Sequence, residues 1–213
     1  MQGLLGKKLG MTQIYDDKGR MVSVTVIALG PCVITQCKTL HKDGYDAVQL
    51  AFEEIAKHRA NKPILGHFKK VKTLPRRYLR EFSVEDGDLI SPGDTLTTKI
   101  FEGISYVDVA AVSKGRGFQG VVKRHDMAGG RKTHGGGGTR RVGAIGQCAY
   151  PARVARGRAM PGHMGNRRVT TQNLRVVSLD LDKNLMLVNG AIPGPAGGIV
   201  EVRKALKKEG KET

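Results

Sequence analysis

Between Ser113 and Arg168 the chain carries 13 lysines and arginines against a single acid, Asp126, and 14 of its 29 glycines fall in the same 56 residues. That segment holds a surplus of +12, whereas the other 157 residues, with 23 basic and 18 acidic side chains, hold +5. It has few large apolar residues, no sustained periodicity, and the run Gly135-Gly136-Gly137-Gly138. Such a stretch buries too little apolar surface to offset the entropy of ordering itself. It reads as a long basic arm inside an otherwise foldable chain, and its self-repulsion calls for a polyanionic partner.

Outside that arm the sequence reads as short strands. Val22-Ser23-Val24-Thr25-Val26 alternates apolar and polar side chains, the period of a half-buried strand. Similar runs are Pro31 to Thr39, Tyr45 to Phe52, Asp94 to Phe101 and Ser105 to Val112, and then Val169 to Leu179, Asn184 to Asn189 and Gly198 to Arg203. Turn signals such as Asp43-Gly44, Ser91-Pro92-Gly93 and Asp182-Lys183-Asn184 separate them. Strands at this spacing predict a mainly β fold, a small antiparallel barrel or sandwich. Because strands flank the basic segment, it is expected to be an insertion.

The expected organisation follows. Residues 1–52 form the first part of the barrel, 93–112 its middle and 169–205 its last part. Residues 113–168 are the extended basic arm, and 206–213 a basic tail. Residues 53–92 form a small α+β inserted subdomain, with helical composition over Glu53 to Ala60 and an acidic turn at Glu85-Asp86-Gly87-Asp88.

The 213 residues carry a net charge of +17 and a pI near 10.1, which makes nucleic acid the default partner. A membrane surface would want a basic amphipathic helix with bulky apolar residues, and none is evident. Lys7 and Lys8 interrupt the apolar start at Leu4-Leu5 before a secretory core can form. Three cysteines, Cys32, Cys37 and Cys148, point to a reducing compartment and a cytoplasmic protein.

Motifs for small-molecule chemistry weigh poorly. Gly115-Arg116-Gly117-Phe118-Gln119-Gly120 is formally G-x-G-x-x-G after a strand, but the acid wanted about 20 residues on falls in Thr133 to Thr139, which has none. Cys32, Cys37 and His41 lie close together, yet five positions along a strand should point the two thiols to opposite faces, and no second ligand pair completes a zinc site. The histidines lack a neighbouring nucleophile, and His125-Asp126 is adjacency rather than catalytic geometry. No catalytic residue, metal, cofactor or small-molecule substrate is expected.

The preferred reading is that glycines let the backbone approach RNA while basic side chains neutralise phosphates. The residues expected there are Lys7 and Lys8 near the N-terminus, then Lys114, Arg116, Lys123 and Arg124 around the first glycines. Arg131, Lys132, Arg140 and Arg141 follow, with Arg153, Arg156 and Arg158, and finally Arg167 and Arg168. His125, His134 and His163 are expected to hydrogen-bond phosphate or stack on a base. Aromatics make up only 5%, with no Trp, so neutralisation and shape are expected to outweigh stacking platforms. Two rivals remain at this stage: a nucleotide-dependent enzyme using Gly115 to Gly120, and a DNA-compacting protein.

The residues also resemble a known family. Phe101, Asp108, Ala111, Ser113, Gly115, Arg116, Gly117, Gly120 and Arg124 stand at the spacings of the signature of the universal large-subunit ribosomal protein number three, in its bacterial form. Gly3 to Thr12, Asn61-Lys62-Pro63 with Gly66-His67-Phe68, Arg167 to Asn173 with Gly165, and Lys183 to Pro195 are similar to other parts of that family. The resemblance implies a translation-factor-like closed β-barrel, a smaller inserted domain, and a long loop running into large-subunit rRNA towards the peptidyl-transferase centre. It further implies binding early in subunit assembly, with large-subunit rRNA and neighbouring large-subunit proteins as partners. Two departures stand out. His125-Asp126-Met127 replaces an aromatic pair common in bacterial relatives, and Gln147 does not align with the glutamine that some relatives methylate.

Overall fold

The computed structural model describes residues 3–16, 18–84 and 91–208, so the expected acidic turn at 85–88 and the end of the tail lie outside the described residues. The chain divides into two compact units, Met1–Val112 with Arg168–Thr213, and Ser113–Arg167.

The first unit opens with β1 (Gly3–Tyr15), β2 (Met21–Leu29) and β3 (Cys32–Lys38), then a one-turn α1 (Leu40–Asp43) and β4 (Ala47–Glu54). Next come α2 (Lys62–Lys70), β5 (Arg76–Ser83), β6 (Thr95–Leu96) and β7 (Tyr106–Val112). The second unit holds β8 (Phe118–Gln119), α3 (Val121–His125) and β9 (Gly162–His163). The first unit resumes with β10 (Arg168–Asp180), β11 (Leu185–Asn189) and β12 (Ile199–Lys204).

Six antiparallel strands close into a barrel in the order β1-β12-β7-β10-β11-β2. Alternation decides what each strand buries. Val107, Val109 and Ala111 of β7 face Val200 and Val202 of β12 inside, while Glu201 and Arg203 look outward. Closure brings backbones close together at Gly6, where an added Cβ would sit 2.6 Å from the Ala28 carbonyl oxygen. Closure also removes most of the exposed strand edge that an open sheet would present.

Residues 32–52, expected among the barrel strands, pair elsewhere: β3 and β4 form a separate four-stranded sheet in the order β5-β4-β3-β6. β2 stops where Gly30 turns at φ +67°, a left-handed conformation that costs glycine little, and the chain leaves the barrel there. The sheet and the barrel nevertheless share one core, in which Leu5, Cys32, Ile34, Leu50 and Phe82 join Leu4, Val109 and Val202. Alternation marks a strand but names no partner, so two layers looked like one.

Other expectations change locally. Helix forms at Lys62–Lys70, with proline in its first turn, while Glu53 and Glu54 end β4 and only a 3-10 turn follows at Lys57–Arg59. β5 went unpredicted because Arg76-Arg77-Tyr78-Leu79-Arg80 looks too charged to be a strand; it is a sheet edge paired only with β4. Of the run Asp94 to Phe101, only Thr95–Leu96 is strand, as β6, and Thr98–Phe101 forms a 3-10 turn. A bulge at Thr35 shifts the β3–β4 register between Ile34 and Gln36, so Cys32 and Cys37 pack against the same core instead of facing apart.

Candidate nucleic-acid interface

The second unit has local order of its own, which its composition did not announce. Its two limbs form a ladder at the base. Ser113 N–H donates to the Arg167 carbonyl at 2.9 Å, Arg116 N–H to Met164 and Met164 N–H to Gly117, each also at 2.9 Å. Phe118 pairs with His163 and Gln119 with Gly162. These contacts join positions more than 40 residues apart, which local periodicity cannot report. Gly165 at φ +75° and Asn166 at φ +48° turn the returning limb into register.

Above the ladder, α3 carries Lys123, Arg124 and His125. The Arg124 guanidinium donates to the Met160 carbonyl at 2.7 Å, and His125 Nε2 lies 3.1 Å from the same oxygen. Gly130 N–H reaches the Thr139 carbonyl at 3.1 Å, closing a loop over residues 131–138 that contains Arg131, Lys132 and His134. A further loop holds Arg140, Arg141, Arg153, Arg156 and Arg158, and Arg158 donates to the Ala144 carbonyl at 2.9 Å. That loop encloses an open recess of about 1010 Å³ edged by Ile145, Gln147, Val154 and the three arginines 153, 156 and 158.

Nearly all these cations face solvent. Lys114, Arg116, Lys123, Arg131, Lys132, Arg140, Arg141, Arg153, Arg156, Arg158 and Arg167 are exposed, as are His125, His134 and His163; Arg124 is half-buried. Among the described residues no ion pair forms within the unit, and Asp126 is its sole acid. Uncompensated cations on an extended surface suit a phosphate backbone, whose neutralisation releases counterions. Two aromatics missed at the sequence level stand out with them, Phe118 at 76% and Tyr150 at 88% exposure, each with a ring free to stack. The available signal was an aromatic inside a glycine-rich basic stretch.

Three expected contacts look different in the first unit. Lys8 is 8% exposed, and its ammonium donates to the carbonyls of Ile192 at 2.9 Å and Gly194 at 3.3 Å. It fastens β1 to the turn before β12 and is not offered to a phosphate, because the barrel wall closes around it. Lys7 is half-buried and paired with Glu53 at 2.8 Å. Arg168 is exposed but already bonded to Glu201 at 2.5 Å.

The G-x-G-x-x-G run leads from β7, an antiparallel barrel strand, to the five-residue α3. A dinucleotide site requires a parallel βαβ crossover and a full helix, so the resemblance is formal only. Among the described residues no helix is long and apolar enough to cross a membrane.

The family model for ribosomal protein L3 matches residues 33–184. The large ribosomal subunit protein uL3 of Corynebacterium diphtheriae is 51% identical over 208 residues, covering 97% of this chain and 95% of that protein. The uL3 of Petrotoga mobilis is 46% identical over 213 residues, covering 100% of both, and that of Brachyspira hyodysenteriae is 45% identical over 212 residues, covering 100% of this chain and 98% of its own.

Proposed function

This chain belongs to the ribosomal protein L3 family, and on that premise we propose that its basic unit, Ser113–Arg167, threads into large-subunit rRNA and neutralises phosphates there. The protein is a structural constituent of the large ribosomal subunit and not an enzyme. It works in the bacterial cytoplasm as part of that particle.

One observation carries the proposal: the lysines and arginines of this unit, apart from the half-buried Arg124, are exposed, and among the described residues none of them is paired with an acid. Lys114, Arg116 and Lys123 would bind phosphate at the base, and Arg131 to Arg141 and Arg153 to Arg158 further along. Arg124 would act chiefly as a positioning residue, because its guanidinium already holds the limbs together. The barrel docks on the rRNA surface and the basic unit runs towards the peptidyl-transferase region, with binding early in assembly. Neighbouring large-subunit proteins complete its surroundings.

Replacing residues 129–158 by a short Gly-Ser linker tests this. The deletion removes seven basic residues but leaves the barrel ladders and the base of the basic unit. The barrel should keep its cooperative melting, since apolar burial supports it. Cells carrying only this version should accumulate large subunits defective in peptide-bond formation. Normal, fully active subunits would end the proposal.

A further inference from the structure

Around helix α2 the first unit carries a concentration of charge of its own. Residues 57–72 hold six lysines and arginines, Lys57, Arg59, Lys62, Lys69, Lys70 and Lys72, and no acid. They account for the whole surplus outside Ser113–Arg168, because the other 141 residues there carry 17 basic and 18 acidic side chains. All six are exposed, and among the described residues none of them forms an ion pair. Packing decides which way the helix faces. Phe68 is buried and Leu65 half-buried on one side, while His67 Nε2 lies 2.9 Å from Gln49 Oε1 of β4. At about 100° per residue, Lys62, Gly66, Lys69 and Lys70 fall together on the side away from the sheet.

Two features of this stripe are not explained by the fold. The helix dipole favours Lys69 and Lys70 in the last turn, but Lys62 opens the helix, at the end where a cation is unfavourable. Gly66 stands in the middle of the nine-residue helix, where only proline is a poorer helix former. Neither usual reason for a glycine holds there. Its backbone is ordinary helix, and an added Cβ would meet nothing within 4 Å among the described residues. The protein's own packing therefore makes no use of the bare backbone between the lysines, whereas a surface lying directly on the helix would.

We infer that α2 is a separate rRNA contact, in which a sugar-phosphate backbone lies on the helix at Gly66 with Lys62 on one side and Lys69 and Lys70 on the other. Lys62 and Lys69 stand about 10 Å apart along the axis at 1.5 Å per residue, so the glycine lies between two anchoring charges. Lys57, Arg59 and Lys72, just before and after the helix, extend the same field. Phe68 is turned into the core, so the stripe offers charge and close approach rather than a ring for stacking. The inference rests on the proposed rRNA binding and adds to it a contact outside the basic unit, one that deletion of 129–158 would leave in place.

The test uses the full-length protein and protein-free large-subunit rRNA, titrated between about 50 and 200 mM salt. The K62Q/K69Q/K70Q variant should bind roughly tenfold more weakly, with a salt slope shallower by about two to three. G66L keeps every charge and gains helix propensity, so it should melt no lower than the unaltered protein and keep its salt slope. It should nevertheless bind several-fold more weakly, because the new side chain stands where the RNA backbone lies. On the unaltered protein, lysine acetylation read by peptide mass spectrometry should show Lys62, Lys69 and Lys70 protected by the rRNA. That arm decides the matter even if a variant folds poorly. Unchanged labelling with rRNA, an unchanged slope in the triple variant, or unaltered affinity in a well-folded G66L overturns the inference. Protection that arises only in assembled subunits, and not with protein-free rRNA, would assign α2 to a neighbouring protein instead. Failure of the unaltered protein to bind the rRNA at all would remove the proposed function.

Discussion

Arg124 Nη1 donates to the main-chain carbonyl of Met160 at 2.7 Å, across 36 positions of sequence. This bond and the short β8–β9 ladder hold the two limbs of the basic unit in register. Gly162 fits the same contact: a Cβ there would lie 2.6 Å from that nitrogen. Replacing Arg124 by Ala removes one charge-assisted bond, worth about 1.5 kcal/mol. Amide exchange at Phe118 and Met164 should then speed up roughly tenfold, while barrel amides keep their protection. Equal exchange in the variant would show that the ladder stands without Arg124.

Lys8 presents the opposite case, a cation used inside the fold. Replacing it by Met keeps the apolar stem but leaves the carbonyls of Ile192 and Gly194 without their donor. The expected cost is about 1–3 kcal/mol in denaturant unfolding. Lys7→Met, at a pair with side chains 36% and 31% exposed, should cost about 1 kcal/mol or less. Comparable losses from the two variants would contradict the assigned roles.

The three thiols should react in order of access. Cys148 is exposed, Cys37 half-buried, and Cys32 fully buried, with burial pushing its thiol up to about 12. Burial raises Cys37 as well. With a thiol reagent near pH ~8, Cys148 should label first, Cys37 slowly, and Cys32 only on unfolding. Early modification of Cys32 would mean that the shared core opens readily.

A pH signature is expected from β3 and β5. Lys38 Nζ lies 2.7 Å from Glu81 Oε1, and the Tyr45 hydroxyl donates to Glu81 Oε2 at 2.8 Å. The Lys38 hydrogen bond, with help from Tyr45, holds the Glu81 carboxyl below its ordinary range, while Glu81 holds Lys38 above its own. A lowered carboxylate contributes above its unfolded pKa and loses that contribution as pH falls through its folded pKa; a raised lysine loses its contribution only in strong alkali. The stability difference between the protein and Glu81→Gln should thus be flat near neutrality, begin to shrink as pH falls through the ordinary glutamate range near about 4.3, and vanish only once the folded carboxyl is protonated as well. A difference that persists in acid would assign the effect to packing.

Much of the fold is legible without coordinates. Alternation in β2, β7, β11 and β12 depends on each strand's own residues, because one face meets the core and the other does not. The mainly β class and its barrel follow from these runs and from the family resemblance. β5 is hidden because an edge strand tolerates arginines that a central strand would refuse.

Site chemistry divides in the same way. The sequence by itself determined how much positive charge the chain carries, and that 13 of its cations crowd between Ser113 and Arg168 among glycines too numerous for a core. Only the tertiary structure decided which cations remain open. Lys8 caps two carbonyls from a turn 184 and 186 positions away, Arg124 ties down Met160, and Glu201 collects Arg80, Arg168 and Arg203 from three strands. The reason is physical: a side chain's charge belongs to its own residue, whereas its partners and its desolvation belong to whatever the folded chain places within a few ångströms.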